Sequence, residues 1–93
     1  MTGEDATYEV LCPSPAPRAF ERLPEKVATA VVEFLYTALA LSPHRVGRPL
    51  RFELEGLHSA RRGDYRIVYR IDDGRATIVI DTVAHRSDIY RRR

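Results

Sequence analysis

The feature of this sequence that constrains the fold most is an alternation of side chains over residues 65–71. The odd-numbered positions are tyrosine or isoleucine, and the even-numbered ones are Arg66, Val68 and Arg70. Because successive side chains of a β-strand point to opposite faces of a sheet, the pattern predicts a strand with one core face and one face that carries arginine. Such a strand belongs to a sheet whose apolar face is covered by a second layer.

Two neighbouring segments complete an antiparallel meander around that strand. Residues 57–62 precede it across a tight glycine-containing turn, and residues 76–84 follow it across the hairpin turn signal Asp73-Gly74. Regular alternation then places four residues near the chain's end on the face of Arg66, namely Val79, Asp81, Val83 and His85. The face without helices is therefore predicted to be polar and basic.

The N-terminal part of the chain predicts one more strand and two helices. Residues 7–12 are rich in β-forming side chains and are expected to form the first strand. A short helix over residues 16–23 and a longer one over residues 25–42 are expected next, and Pro24 separates them as a helical hairpin. Apolar residues recur at three- and four-residue intervals along the longer helix, which gives it a face for the sheet. Residues 43–56 have no steady period and are expected to form a loop with a short extended piece.

Composition places the chain among small single-domain proteins. Its 93 residues are expected to form one domain, over 1–93, which buries about 60–65% of the surface of the unfolded chain and leaves no room for a large internal cavity. The first residues of the chain include acidic side chains where a signal peptide needs basic ones. No apolar run approaches the roughly 20 residues that span a bilayer. A cytoplasmic protein without membrane contact is therefore expected. Cys12 is the only cysteine, which excludes an internal disulfide and predicts a thiol packed as a small apolar side chain.

The charge of the chain is unevenly distributed, although the net charge is only +2. Residues 1–43 hold three cationic and six acidic side chains, whereas residues 44–93 hold twelve arginines and seven acidic side chains, so the two parts carry −3 and +5. Only one of the fifteen cations is lysine, and the planar guanidinium of arginine suits phosphate. The asymmetry points to a polyanionic partner; the alternative is an ordinary solvated basic surface.

Two segments of the sequence resemble toxins of the RelE family. Residues 57–69 are similar to that family's central strand pair, in which a basic strand and a tight glycine turn lead into Tyr-Arg-aliphatic-aliphatic-Tyr. Residues 83–91 are similar to its terminal strand and its tail, which is rich in histidine and arginine and closes on Tyr-Arg. The chain is therefore identified as a member of the RelE/ParE toxin superfamily. The expected fold is α+β, with an N-terminal strand, a helical hairpin, an antiparallel meander and a short C-terminal tail or helix.

The resemblance implies a toxin of a type II toxin–antitoxin system that enters the ribosomal A site and cuts the messenger RNA there. In that reaction a ribose 2′-hydroxyl attacks the neighbouring phosphate, so the nucleophile belongs to the substrate, and neither a metal nor another cofactor is expected. The implied partners are a cognate antitoxin protein, the ribosome and mRNA. Two alternatives stay open: a ParE-like inhibitor of DNA gyrase without RNA chemistry, and a catalytically degenerate member that only binds its antitoxin.

The resemblance also implies four catalytic residues. Arg66, in the Tyr-Arg motif, is expected to stabilise charge on the phosphoryl oxygens in the transition state. Arg61 is expected to bind the scissile or a flanking phosphate. His85 is the expected proton-transfer group, since imidazole both donates and accepts protons near neutral pH; its alternative is a structural role. Tyr90 is expected to stack on a base or donate a proton; its alternative is to pack the tail against the sheet.

The sequence departs from the family in one respect. A pair of lysines precedes the glycine turn in the family's best-known pattern, and the matching positions here are about Leu57 and Ser59. Neither residue can transfer a proton as lysine does. The resemblance then implies that His85 supplies the proton transfer, as in family members without the lysine pair.

Eleven further basic residues divide into three groups. Six arginines are expected to contact RNA phosphates, namely Arg62, Arg70, Arg86, Arg91, Arg92 and Arg93. Three arginines of the predicted loop have no assigned chemistry, namely Arg45, Arg48 and Arg51. His44 and His58 are expected to be structural, and His58 should point to the opposite face of its strand from Arg61.

Overall fold

The computed structural model of the protein describes residues 7–13, 16–51 and 55–85. Its elements are, in chain order, β1 (Glu9–Leu11), α1 (Ala16–Glu21), α2 (Glu25–Phe34), a π-helical continuation of α2 (Leu35–Leu39), α3 (Pro43–Val46), β2 (Arg48–Pro49), β3 (His58–Arg62), β4 (Tyr65–Asp72) and β5 (Thr77–His85). No helix in these ranges is long and apolar enough to cross a membrane. The tail expected after β5 lies outside the described residues.

The described strands form a five-stranded sheet in the order β1-β5-β4-β3-β2. β3, β4 and β5 pair antiparallel in sequence order, which confirms the predicted meander. β1 pairs parallel to β5 at one edge, with Val10 opposite Ile78. β2 pairs antiparallel to β3 at the other edge and is the short extended piece expected before the meander. The strand β4 therefore lies at the centre, so its side chains occupy the middle of both faces.

One face of the sheet carries the core. The predicted apolar face of β4 is confirmed, because Ile67 and Tyr69 are fully buried. The long helix packs on this face through residues spaced four apart, namely Val31, Leu35 and Leu39, and burying a side chain of this size stabilises the fold by about 1.5–3 kcal/mol. The six-residue helix α1 lies near β5, so the two helices fit the expected hairpin loosely. Cys12 is half-buried against the core, and this burial raises the pKa of its thiol.

Residues 43–46, expected as part of a loop, form the short helix α3. Pro43 lies in its first turn, where an N–H is not needed, and its side chain is buried. The hydroxyl of Tyr69 donates a hydrogen bond of 2.7 Å to the carbonyl oxygen of Pro43, and burial raises the pKa of Tyr69 to about 12. The Ser-Pro pair at residues 42–43 thus ends one helix and starts the next. The buried tyrosine anchors α3 to the sheet.

An irregularity in the β4–β5 ladder changes which side chains share a face. Asp81 opposes no residue of β4, so β5 holds one extra residue at this point, as in a β-bulge. The extra residue reverses the alternation of side chains beyond it. Val83 is consequently buried in the core, and His85 lies opposite Tyr65. The prediction that Val83 and His85 share the face of Arg66 is therefore wrong.

Candidate nucleic-acid interface

Arg61 and Arg66 face each other across β3 and β4, on the side of the sheet away from the core. Directly opposed side chains of an antiparallel pair have Cβ atoms about 4.5–5.5 Å apart, and like charges at that separation destabilise the sheet. Within the described ranges, neither guanidinium takes part in an ion pair. An anion bound between the two side chains would replace their repulsion with attraction.

A groove with a volume of about 560 Å³ lies beside this arginine pair. The other described residues that line it come from α3, β2 and β3 and from the segment after β2, namely Val46, Arg48, Pro49, Leu50, Ser59 and Ala60. Three of these eight described lining residues are arginines and none is acidic. The groove is therefore a cationic surface feature rather than an enclosed cavity for a neutral small molecule.

The chemistry available to this groove follows from its arginines. A guanidinium presents a planar fork of N–H donors that matches two phosphate oxygens at once. It does not lose its proton under physiological conditions, so it stabilises charge but does not transfer protons. The described lining residues include no histidine, carboxylate, lysine or tyrosine. The groove can bind and polarise a phosphate, while proton transfer needs a group from outside this set.

His85 lies close to Arg61 and Arg66 in the sheet, but its side chain is on the opposite face. Its ring is edge-on to that of Tyr65, with 5.2 Å between the ring centroids, and its side chain is half-buried. The preceding residue, Ala84, pairs directly with Arg66. The structure therefore places the backbone of His85 at the end of β5, next to the residue that pairs with Arg66. The side chain of His85 lies on the core face, with Tyr65.

The remaining predicted site residues divide between the two faces and the undescribed tail. Arg70 lies on the same face as Arg66, four residues further along β4. At about 3.3 Å per residue, the two residues are roughly 13 Å apart. Arg62 pairs with Tyr65 and lines a second groove, of about 290 Å³, beside Lys26 of α2. Five predicted site residues lie outside the described ranges, namely Arg86, Tyr90, Arg91, Arg92 and Arg93.

Arg48 is a groove residue that the sequence pattern left without a role. It is exposed on the edge strand β2 and pairs directly with Ser59 of β3. Pro49, the next residue, is typical of an edge strand and is the one local signal for this placement. Two residues are too few to reveal the register with β3, so the position of Arg48 beside Arg61 emerges only in the folded chain.

The histidines His44 and His58 belong to a separate polar cluster. Nε2 of His44 lies 2.9 Å from Oδ1 of Asp73, and the hydroxyl of Tyr8 donates a bond of 2.6 Å to the same oxygen. Hydrogen bonds from Tyr8 and then His44 lower the pKa of Asp73. His58 stacks on Tyr69 on the core face, as predicted, and burial lowers the pKa of His58. These contacts join α3 and the N-terminal segment to the β4–β5 turn.

Comparison with known proteins defines the class. A family model described as the ParE toxin of type II toxin–antitoxin systems matches residues 14–90 of the chain. Because this match spans most of the sequence, the protein belongs to the RelE/ParE superfamily of type II toxin–antitoxin toxins. The predicted family and the predicted α+β fold class are both confirmed.

Individual relatives narrow the class to RelE-type toxins. Toxin RelE of Mycobacterium tuberculosis is 54% identical over 88 residues, which cover 95% of this chain and 91% of the relative. Toxin RelG of the same organism is 53% identical over 85 residues, with 91% and 98% covered. A chain in the crystal structure of the toxin–antitoxin complex RelBE2 from M. tuberculosis matches with a TM-score of 0.84 and 50% identity, over 88% of this chain and 94% of that one.

Proposed function

We propose that this protein is a ribosome-dependent endoribonuclease that cuts messenger RNA in the A site. The observation that carries the proposal is the facing pair Arg61 and Arg66, which lines a groove without an acidic side chain among its described residues. Two like charges held opposite each other favour a polyanionic ligand, because the ligand relieves their repulsion. The similarity to Toxin RelE supports RNA on the ribosome as the proposed substrate.

The reaction that fits these residues is an internal transesterification. The ribose 2′-oxygen forms a bond to the adjacent phosphorus, the bond from phosphorus to the 5′-oxygen breaks, and the products are a 2′,3′-cyclic phosphate and a 5′-hydroxyl. Negative charge gathers on the phosphoryl oxygens at the transition state. Arg66 stabilises that charge, and Arg61 holds the scissile phosphate in place. The nucleophile comes from the substrate, so this mechanism has no step that requires a metal.

Two protons must move during this reaction, one from the 2′-hydroxyl and one to the 5′-oxygen. His85 is our candidate for one of these transfers, because it directly follows Ala84, the residue that pairs with Arg66. Its side chain lies on the core face with Tyr65, so the RNA backbone would have to reach the end of β5. Tyr90 is the candidate for stacking on a base or for the second proton transfer.

Two kinds of macromolecule are the proposed partners. A cognate antitoxin would cover the basic face with an acidic or amphipathic segment, in line with the toxin–antitoxin complex RelBE2 of a relative that is 50% identical. On the ribosome, cationic side chains would contact RNA phosphates and make binding sensitive to salt. The proposed phosphate contacts outside the catalytic set are Arg62, Arg70, Arg86, Arg91, Arg92 and Arg93.

The experiment that tests the function is toeprinting on translating ribosomes with purified toxin. We expect cuts within the A-site codon, and we expect Arg66→Ala to reduce the cleavage rate by about 10²–10³, the typical cost of losing one oxyanion-stabilising donor. His85→Ala should reduce the rate by about 10² or more if its imidazole transfers a proton. Arg75→Ala is the matched control, since Arg75 is an exposed arginine in the β4–β5 turn and outside the groove.

A different result would contradict the proposal. Uncut message on ribosomes, together with growth arrest by the same protein, would exclude endonuclease activity. Inhibition of gyrase supercoiling with intact message would identify the alternative ParE-like function. Harmless overexpression in the absence of an antitoxin would instead indicate a degenerate member of the family.

A further inference from the structure

We propose that Arg48 is a third phosphate-binding residue of the groove and holds an RNA phosphate next to the one bound by Arg61 and Arg66. The inference rests on the proposed function, since it assigns a further contact to the same substrate. Arg48 lines the groove together with those two arginines. The other two arginines of the same segment, Arg45 and Arg51, are also exposed but do not line it.

The register of the edge strand places Arg48 at a useful distance from the pair. Arg48 lies directly opposite Ser59, and Arg61 is two residues further along β3. Arg48 and Arg61 are therefore diagonal neighbours, whose separation is about 7–8 Å, within reach of long side chains. Alternation puts Ser59, Arg61 and Arg66 on one face, so the side chain of Arg48 joins a single cationic row. Such a row suits successive phosphates of one RNA strand.

The backbone before Arg48 is held by the core. Gly47 packs so closely that a Cβ at this residue would overlap the hydroxyl of Tyr69 and lie 2.8 Å from the carbonyl oxygen of Ser59. The same hydroxyl donates its hydrogen bond to Pro43, and Tyr69 is fully buried. The position of β2 relative to β3 is thus set by buried contacts. Arg48 combines a fixed backbone with an exposed guanidinium, an arrangement that reduces the entropic cost of binding a ligand.

The charges around Arg48 also favour an external anion. Among the described residues Arg48 takes part in no ion pair. The described lining residues of the groove add two more positive charges and no negative one. A third cation so close to Arg61 and Arg66 raises the mutual repulsion, which a bound phosphate removes.

The test separates binding from chemistry with the full-length toxin and ribosomes. Binding is measured on ribosomes whose A-site codon carries 2′-O-methyl riboses, which remove the nucleophile, and cleavage is measured at saturating toxin on unmodified message. For Arg48→Ala we expect affinity to fall by about 10-fold or more, as for a lost charged hydrogen bond. The slope of log affinity against log salt should become shallower by about 0.7. The cleavage rate at saturation should change by less than about 3-fold, because the contact is equal in the ground and transition states.

Matched variants and a second ribosome sample complete the design. Arg45→Ala should bind like wild type, and Arg48→Lys should recover part of the affinity, since it keeps the charge but loses the fork. Thermal unfolding of each variant checks that the fold is intact. If the loss for Arg48→Ala appears only on ribosomes carrying message, the phosphate belongs to mRNA, as the inference requires. An equal loss on vacant ribosomes would place the phosphate in ribosomal RNA and would overturn the inference.

Two further outcomes would overturn the inference, and they are distinguishable. Wild-type toxin that cuts message while a folded Arg48→Ala variant binds and cuts like Arg45→Ala would remove Arg48 from the site and leave the proposed function standing. Wild-type toxin that neither binds nor cuts on programmed ribosomes would overturn the proposed function, and the role of Arg48 with it.

Discussion

Gly47 joins the core to the edge strand, and replacing it with alanine provides a sharp test of this packing. The backbone of Gly47 is extended, with φ −112° and ψ −175°, a conformation that alanine adopts without strain. The cost of Gly47→Ala is therefore steric. The new methyl group would overlap the hydroxyl of Tyr69, which is buried and bonded to Pro43. Either the tyrosine ring or the start of β2 must move.

The size of the effect follows from these contacts. Forcing an extra methyl group into a packed interior costs about 1–3 kcal/mol. Loss of the hydrogen bond from Tyr69 to Pro43 adds about 1 kcal/mol. We therefore expect Gly47→Ala to lower the free energy of unfolding by about 2–4 kcal/mol, and Tm by about 8 °C or more for a domain of this length. A shift of β2 would also displace Arg48, so binding to ribosomes should weaken.

Urea and thermal unfolding measure the effect, with Gly74→Ala as the matched control. A Cβ at Gly74 would meet only Oδ1 of Asp72, at an ordinary 3.5 Å, so this variant should keep wild-type stability or gain slightly. The double variant Gly47→Ala, Tyr69→Phe removes the overlapping hydroxyl, and its loss should be smaller than the sum of the single losses. Gly47→Ala with wild-type stability, or strict additivity in the double variant, would contradict a steric conflict between the new methyl group and the hydroxyl of Tyr69.

Three further predictions concern charge. Arg66→Ala should leave the urea midpoint unchanged or slightly higher, since it removes a like-charge pair, and a clearly lower midpoint would contradict that role. Hydrogen bonds from Tyr8 and then His44 lower the pKa of Asp73, so its carboxylate stabilises the fold above its unfolded pKa near 3.8. That contribution disappears as pH falls through the lowered pKa, so Asp73→Asn should show a smaller decrease of Tm below about pH 4 than wild type. Burial, followed by the charge of His44, lowers the pKa of His58 below 6.5. As pH falls, the imidazole of His58 is therefore protonated more readily in the unfolded chain than in the folded one. Stability should therefore fall as pH drops below about 6.5, and His58→Gln should flatten the Tm profile between about pH 7 and 5.

Elements whose signals are local could be predicted from the sequence alone. The alternation over β4 predicted the buried Ile67 and Tyr69 on one face and Arg66 on the other, and the structure confirms both. The three- and four-residue spacing along α2 likewise predicted the helix face that packs on the sheet. Periods of this kind depend only on the geometry of a single helix or strand, so they can be recognised without knowing which elements pack against it.

How separate segments meet depends on packing between distant parts of the chain. The extra residue Asp81 reverses the alternation of β5 and places the side chain of His85 on the same face as Tyr65. No local sequence pattern predicts this bulge. Likewise, no local pattern predicts that β1 pairs parallel to β5 or that Arg48 lies beside Arg61. Register and bulges are set by which distant side chains fill the core together, here the hydroxyl of Tyr69 against Gly47, and such packing is a property of the folded chain as a whole.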